Sequence, residues 1–105
     1  MSGSGGGSWT TPSGDSCETL TSDTTLTSPD PAVISQLQVG TLLEVEVDDS
    51  GAHPVVHAMY QGEVAGSITS SIIQKLVECI EGGHEYVAQV LSIQGGTCRV
   101  RVRLQ

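Results

Sequence analysis

The sequence contains no Phe, one Trp and two Tyr in 105 residues. A core built on stacked aromatic rings is excluded, and packing falls to Val, Ile and Leu. β-Branched side chains are stiff at χ1 and suit pleated surfaces, so the balance leans towards strands. Basic residues are scarce as well: 4 Lys and Arg stand against 12 Asp and Glu, a formal net charge of −8. Such a charge keeps a small domain soluble and opposes non-specific attachment to nucleic acid or anionic membranes. No apolar stretch exceeds a few residues, so no membrane span is expected. Near Met1 there is neither a basic region nor an apolar run, and no secretory signal is expected.

Cysteine is also sparse. Cys17, Cys79 and Cys98 are an odd set with wide separations. They form neither a disulfide framework nor a zinc-ligand spacing. Three reduced thiols and a cytoplasmic location are the expectation. His53 and His57 are separated by Pro54 and do not share a helical turn, so a metal site using both is not expected. His84 is expected in a loop near a helix C-terminus. No nucleophile with a partnered base is discernible, and the glycine clusters lack phosphate-loop spacing. The sequence therefore predicts no catalytic residues, no metal and no cofactor.

What is present divides into two parts. Residues 1–16 are almost entirely Gly, Ser, Thr, Pro and Asp, with Trp9. Such a segment buries too little apolar surface to offset the entropy of ordering, and it is expected to be a disordered tail. Residues 17–105 are expected to form a single small domain. Within it, the Thr-rich segment from Cys17 to Thr27 is a candidate edge strand. Asp30 followed by Pro31 is an N-cap and first helical position, and a short helix should stop before Gly40. Leu43, Val45 and Val47 alternate with Glu44, Glu46 and Asp48, the period of a half-buried strand. Pro54 to Tyr60 and Glu63 to Ile68 read as two strands joined at Gln61-Gly62. Gly66 inside the second signals a bulge or a close backbone approach.

Ile72, Ile73, Leu76, Val77 and Ile80 then form one helical stripe, capped by Thr69 or Ser70 and ended by Gly82-Gly83. Glu78, Glu81 and Glu85 are expected to be solvated. Strands from Glu85 to Ile93 and from Thr97 to Leu104 close the domain around Gln94-Gly95-Gly96. The order β-β-β-α-β-β, with an extra N-terminal strand and short helix, predicts a mainly β (α+β) fold. The architecture it suits is a small, partly closed antiparallel barrel of OB-like or SH3-like type.

The clearest surface pattern is electrostatic. Arg99, Arg101 and Arg103 alternate with Val100, Val102 and Leu104 on the last strand. If that strand neighbours the one bearing Glu44, Glu46 and Asp48, the two ladders pair across the sheet and help set register. The alternative is an anion-binding stripe, since Arg takes phosphate or carboxylate bidentately. Tyr60 or Tyr86 would then be its stacking platform.

The run Val55-Val56, then Gly62-Glu63-Val64-Ala65-Gly66-Ser67-Ile68, a helix, Tyr86-Val87-Ala88-Gln89-Val90 and Val100-Arg101-Val102 resembles the HIRAN domain over about residues 41–104. The resemblance implies a small barrel that, in some chromatin and repair proteins, binds ends of single-stranded DNA. The family's Asn-Pro-x-Asp segment is replaced here by Asp48-Asp49-Ser50-Gly51-Ala52, and the aromatic after the hairpin glycine is Ser67. The resemblance thus bears on architecture more than on DNA contact. The chain also resembles short proteins of Gram-negative bacteria that have no assigned function. Size, acidity and the lack of a catalytic set predict a non-enzymatic, monomeric interaction module with a protein partner. A single-stranded nucleic-acid or polyanion binder using the Arg stripe is the alternative.

Overall fold

A computed structural model describes residues 16–105. The tail expected over residues 1–16 lies outside the described residues except for Ser16, whose hydroxyl accepts from Glu18 N–H at 3.2 Å. The elements are β1 (Ser22–Thr25), α1 (Pro31–Ile34), β2 (Leu42–Asp48), β3 (Val55–Tyr60), β4 (Glu63–Ile68), α2 (Ile73–Glu81), β5 (Tyr86–Gln94) and β6 (Thr97–Leu104). All six strands join one antiparallel sheet in the order β1-β6-β5-β2-β3-β4. The sheet curls into a small barrel, as the order of elements predicts.

Closure depends on the segment after β1. The amide of Leu26 still donates to Cys98 O on β6 at 2.9 Å, while Thr27 exchanges two 2.8 Å bonds with Ser67 on β4. Farther along, Asp30 N–H donates to Ala65 O at 3.0 Å. Side-chain hydroxyls tie the same region to residues 69–70, Ser22 with Ser70 at 2.7 Å and Thr27 with Thr69 at 2.9 Å. The segment from Thr27 to Asp30 thus covers part of the outer side of β4. Gly66 is required at this seam. A Cβ there would stand 2.9 Å from Leu26 Cβ and 3.2 Å from Thr27 O. The register also shifts between Ala58 and Met59 opposite it. Both features anticipated for Gly66 are therefore present in the β3–β4 hairpin.

The core is aliphatic. Leu43, Val56, Ile68, Leu76, Val90, Val100 and Val102 are essentially inaccessible. The Asp30 side chain accepts from Ala32 N–H at 3.0 Å and starts α1, whose Val33 and Ile34 are buried. In α2 the buried side chains are Leu76, Val77 and Cys79, whereas Ile72, Ile73 and Ile80 are only partly covered. The inward stripe is rotated relative to the sequence expectation and includes Cys79. The helix also starts later than expected, with Ile72 at the N-cap and no side-chain cap. Ser70 instead stabilises the turn before it, accepting from Ile72 N–H at 3.2 Å.

Two expectations are corrected. Cys17 and Cys79 are not reduced thiols; they form a disulfide that joins the start of the domain to α2. Cys98 is a free, buried thiol whose pKa burial raises. The acidic ladder of β2 and the Arg ladder of β6 are not neighbours either, because β5 lies between them.

Candidate binding faces

The alternation on β6 sets the first face. Cys98, Val100 and Val102 point into the barrel, and Arg99, Arg101 and Arg103 project from its outer side. On that side β6 is bordered by β1, in the register Asp23 to Arg101 and Thr25 to Arg99. The guanidinium of Arg101 takes Asp23 as a fork, Nε to Oδ1 at 2.7 Å and Nη2 to Oδ2 at 2.9 Å. This hydrogen bonding holds the Asp23 carboxyl below the usual carboxylate range, helped by the charges of Arg101 and Arg99. Arg99 Nη1 donates to Thr25 Oγ1 at 3.3 Å, and Arg103 Nη1 to the Leu104 carbonyl at 3.4 Å. Among the described residues, Arg101–Asp23 is the one ion pair. One cation of the stripe is therefore neutralised internally, by an acid of the Thr-rich segment rather than by Glu44, Glu46 or Asp48.

The two tyrosines do not join this face. Tyr86 is 2% exposed, and its hydroxyl donates to the Cys17 carbonyl. Burial, and then the charge of Glu18, raise its pKa. A ring so enclosed offers no face for base stacking, which corrects the expectation for Tyr86. Tyr60 is half-buried, packs against the core and lies on β3, with β2 and β5 between it and the Arg strand.

The second face arises where two strands part. β2 pairs with β3 from Glu44 to Asp48, but with β5 only at Leu42, Leu43 and Glu44. Past the Glu44–Val87 pair, β5 begins at Tyr86 and the chain turns away towards α2. The gap is a cleft of about 440 Å³ lined by Glu44, Val45, Glu46, Ile80, Gly83, His84, Glu85, Tyr86 and Gln105. Its rim carries the exposed carboxylates Glu44 and Glu46 on one side and Glu85 on the other. Buried Val45 and Tyr86, with half-buried Ile80, form its apolar floor.

The α2 end of the cleft is firmly held. Cys79 O accepts from His84 N–H at 3.0 Å and lies 3.2 Å from His84 Nδ1. Gly83 makes the turn with φ +105°, a conformation that favours glycine. On the opposite side of β5, Gln105 N–H donates to Glu85 O at 2.8 Å. His84 thus sits after the helix end as anticipated. Its place on one rim with Glu44, Glu46 and Glu85 has no local signal in the sequence, since these residues come from distant segments. His57 stands opposite Glu46 across the β2–β3 ladder.

Among the described residues no group of three or more His, Cys, Asp or Glu is arranged to hold a metal ion. No described helix is long and apolar enough to cross a membrane. Comparison with protein-family models, with curated proteins and with solved structures finds no match to this chain.

Proposed function

We propose that this chain is a non-enzymatic, monomeric interaction module whose acidic cleft binds a cationic segment of a partner protein. The observation that carries this reading is the cleft itself, with Glu44, Glu46 and Glu85 standing over a floor of Val45, Ile80 and Tyr86. Carboxylates around an apolar floor suit a Lys or Arg side chain, whose methylene stem packs while its charged end reaches the rim. The net charge of −8 steers cations towards the same surface.

A second reading, a binder of single-stranded nucleic acid or another polyanion, is supported by Arg99 and Arg103, neither of which forms an ion pair among the described residues. The HIRAN resemblance points the same way. Against it stand the neutralised Arg101 and the enclosed ring of Tyr86. Fluorescence anisotropy of a labelled Lys-rich peptide and a labelled oligothymidylate separates the two. The first reading expects saturable peptide binding that falls about tenfold in the Glu44→Gln, Glu46→Gln double variant, roughly the loss of two exposed ion pairs at about 0.2–1 kcal/mol each. Oligonucleotide binding with no peptide binding would refute it.

A further inference from the structure

β2 has a backbone feature that the charge of the cleft does not explain. Its Val45–Asp48 stretch is laddered to β3 on one side, but no strand lies beside it on the other. On the outer side of β4, backbone bonds of Ser67 and Ala65 are taken up by Thr27 and Asp30. The interior gap between β2 and β5 is a place where the sheet can accept another strand. In an antiparallel ladder every second residue turns its N–H and C=O to a given side. Two residues of Val45–Asp48 thus turn these groups to the side that has no strand, where Val45 and Glu46 line the cleft, and such groups gain most from a backbone partner.

From this geometry we infer that the cleft takes its ligand as an added β-strand, an extended basic peptide lying between β2 and the start of β5. The inference rests on the reading of the cleft as the binding site and specifies how it binds. Main-chain bonds to an open edge give affinity, and alternate side chains give selection. The two faces of such a strand would meet different surroundings. Its outward residues would lie between Glu44 and Glu46 on one side and Glu85 on the other, which selects Lys or Arg. Its inward residues would rest on Ile80 and Tyr86, which selects small aliphatic side chains. The fitting ligand is a short segment alternating cationic and aliphatic residues. A cleft of about 440 Å³ holds only a few of them.

The test uses the full chain in its oxidised form with an acetylated heptapeptide of alternating Lys and Val. Two analogues are N-methylated at either the Lys or the Val positions. Alternation fixes the peptide's register, so only one set of amides faces β2. One analogue should bind about tenfold more weakly than the parent and the other about equally, as expected for loss of one or two main-chain bonds. Amides within Val45–Asp48 should gain protection from hydrogen exchange when the parent binds. Equal binding of both analogues, or parent binding without that protection, would overturn strand addition and leave the acidic cleft standing as the site. Failure of the parent to bind at low salt would overturn both.

Discussion

At the residue scale, the pairing of Arg101 with Asp23 decides how much of the basic stripe is available. Arg101→Ala should return the Asp23 carboxyl towards its ordinary value of 3.8, read by NMR titration of its side-chain carbon. Linkage fixes the sign. A carboxyl held low in the fold contributes stability above its unfolded pKa, and that contribution fades as pH falls through the depressed folded value. The variant should therefore have a flatter stability profile at acid pH, and an unchanged Asp23 titration would show that the fork is not formed in solution. The alternation of Arg99, Arg101 and Arg103 is legible in the sequence because strand periodicity is local. The partner is not legible, since nothing in a Thr-rich stretch reveals which strand it will lie beside. Tyr86 is a similar case. Its position in a strand is readable, but its bond to the Cys17 carbonyl joins segments 69 residues apart. Tyr86→Phe should cost about 0.5–1.5 kcal/mol in urea unfolding, the usual net value of such a bond. No loss would mean the carbonyl finds water instead.

At the element scale, α2 is held by packing and by a covalent tie. Leu76 is fully buried, so Leu76→Ala should cost about 2–5 kcal/mol, a large share of the stability of so small a domain. A loss under about 1 kcal/mol would contradict the inward stripe. The helix is visible in the sequence from its apolar spacing. Its rotation is not, and neither is the bond from Cys79 to a cysteine 62 positions away. Closing a loop of that length stabilises a fold by roughly 4 kcal/mol in the chain-entropy account, so reduction should lower the urea midpoint by a corresponding amount. An unchanged midpoint would show that the two thiols are not bonded. The seam between β1 and β4 gives a further test at Gly66, whose irregular role the sequence does signal. Gly66→Ala places a methyl against Leu26 and the Thr27 carbonyl, and should cost about 1–3 kcal/mol by overpacking. Thermal melts check this, and a stabilised variant would mean that the seam has room for a methyl group.

At the scale of the whole molecule, the barrel is legible because each strand carries its own alternation and each tight turn its own glycine. Gln61-Gly62 and Gly95-Gly96 all take positive φ, as two-residue hairpin turns require. The cleft is not legible. Glu44, Glu46 and Asp48 alternate with apolar residues along the whole of β2, and nothing in that pattern marks Glu44 as the last residue paired to β5. A bonded Cys17–Cys79 pair persists most readily in an oxidising medium. The central claim concerns which charged surface binds, and a backbone chemical-shift titration tests it most directly. The chain is titrated at low and at moderate salt, first with the Lys-Val heptapeptide and then with single-stranded DNA. Saturable shifts at Glu44, Glu46, His84 and Glu85 with the peptide, and none at Arg99, Arg101 and Arg103 with DNA, are expected. Saturable DNA shifts on those three arginines at moderate salt, with the cleft silent to the peptide, would contradict it.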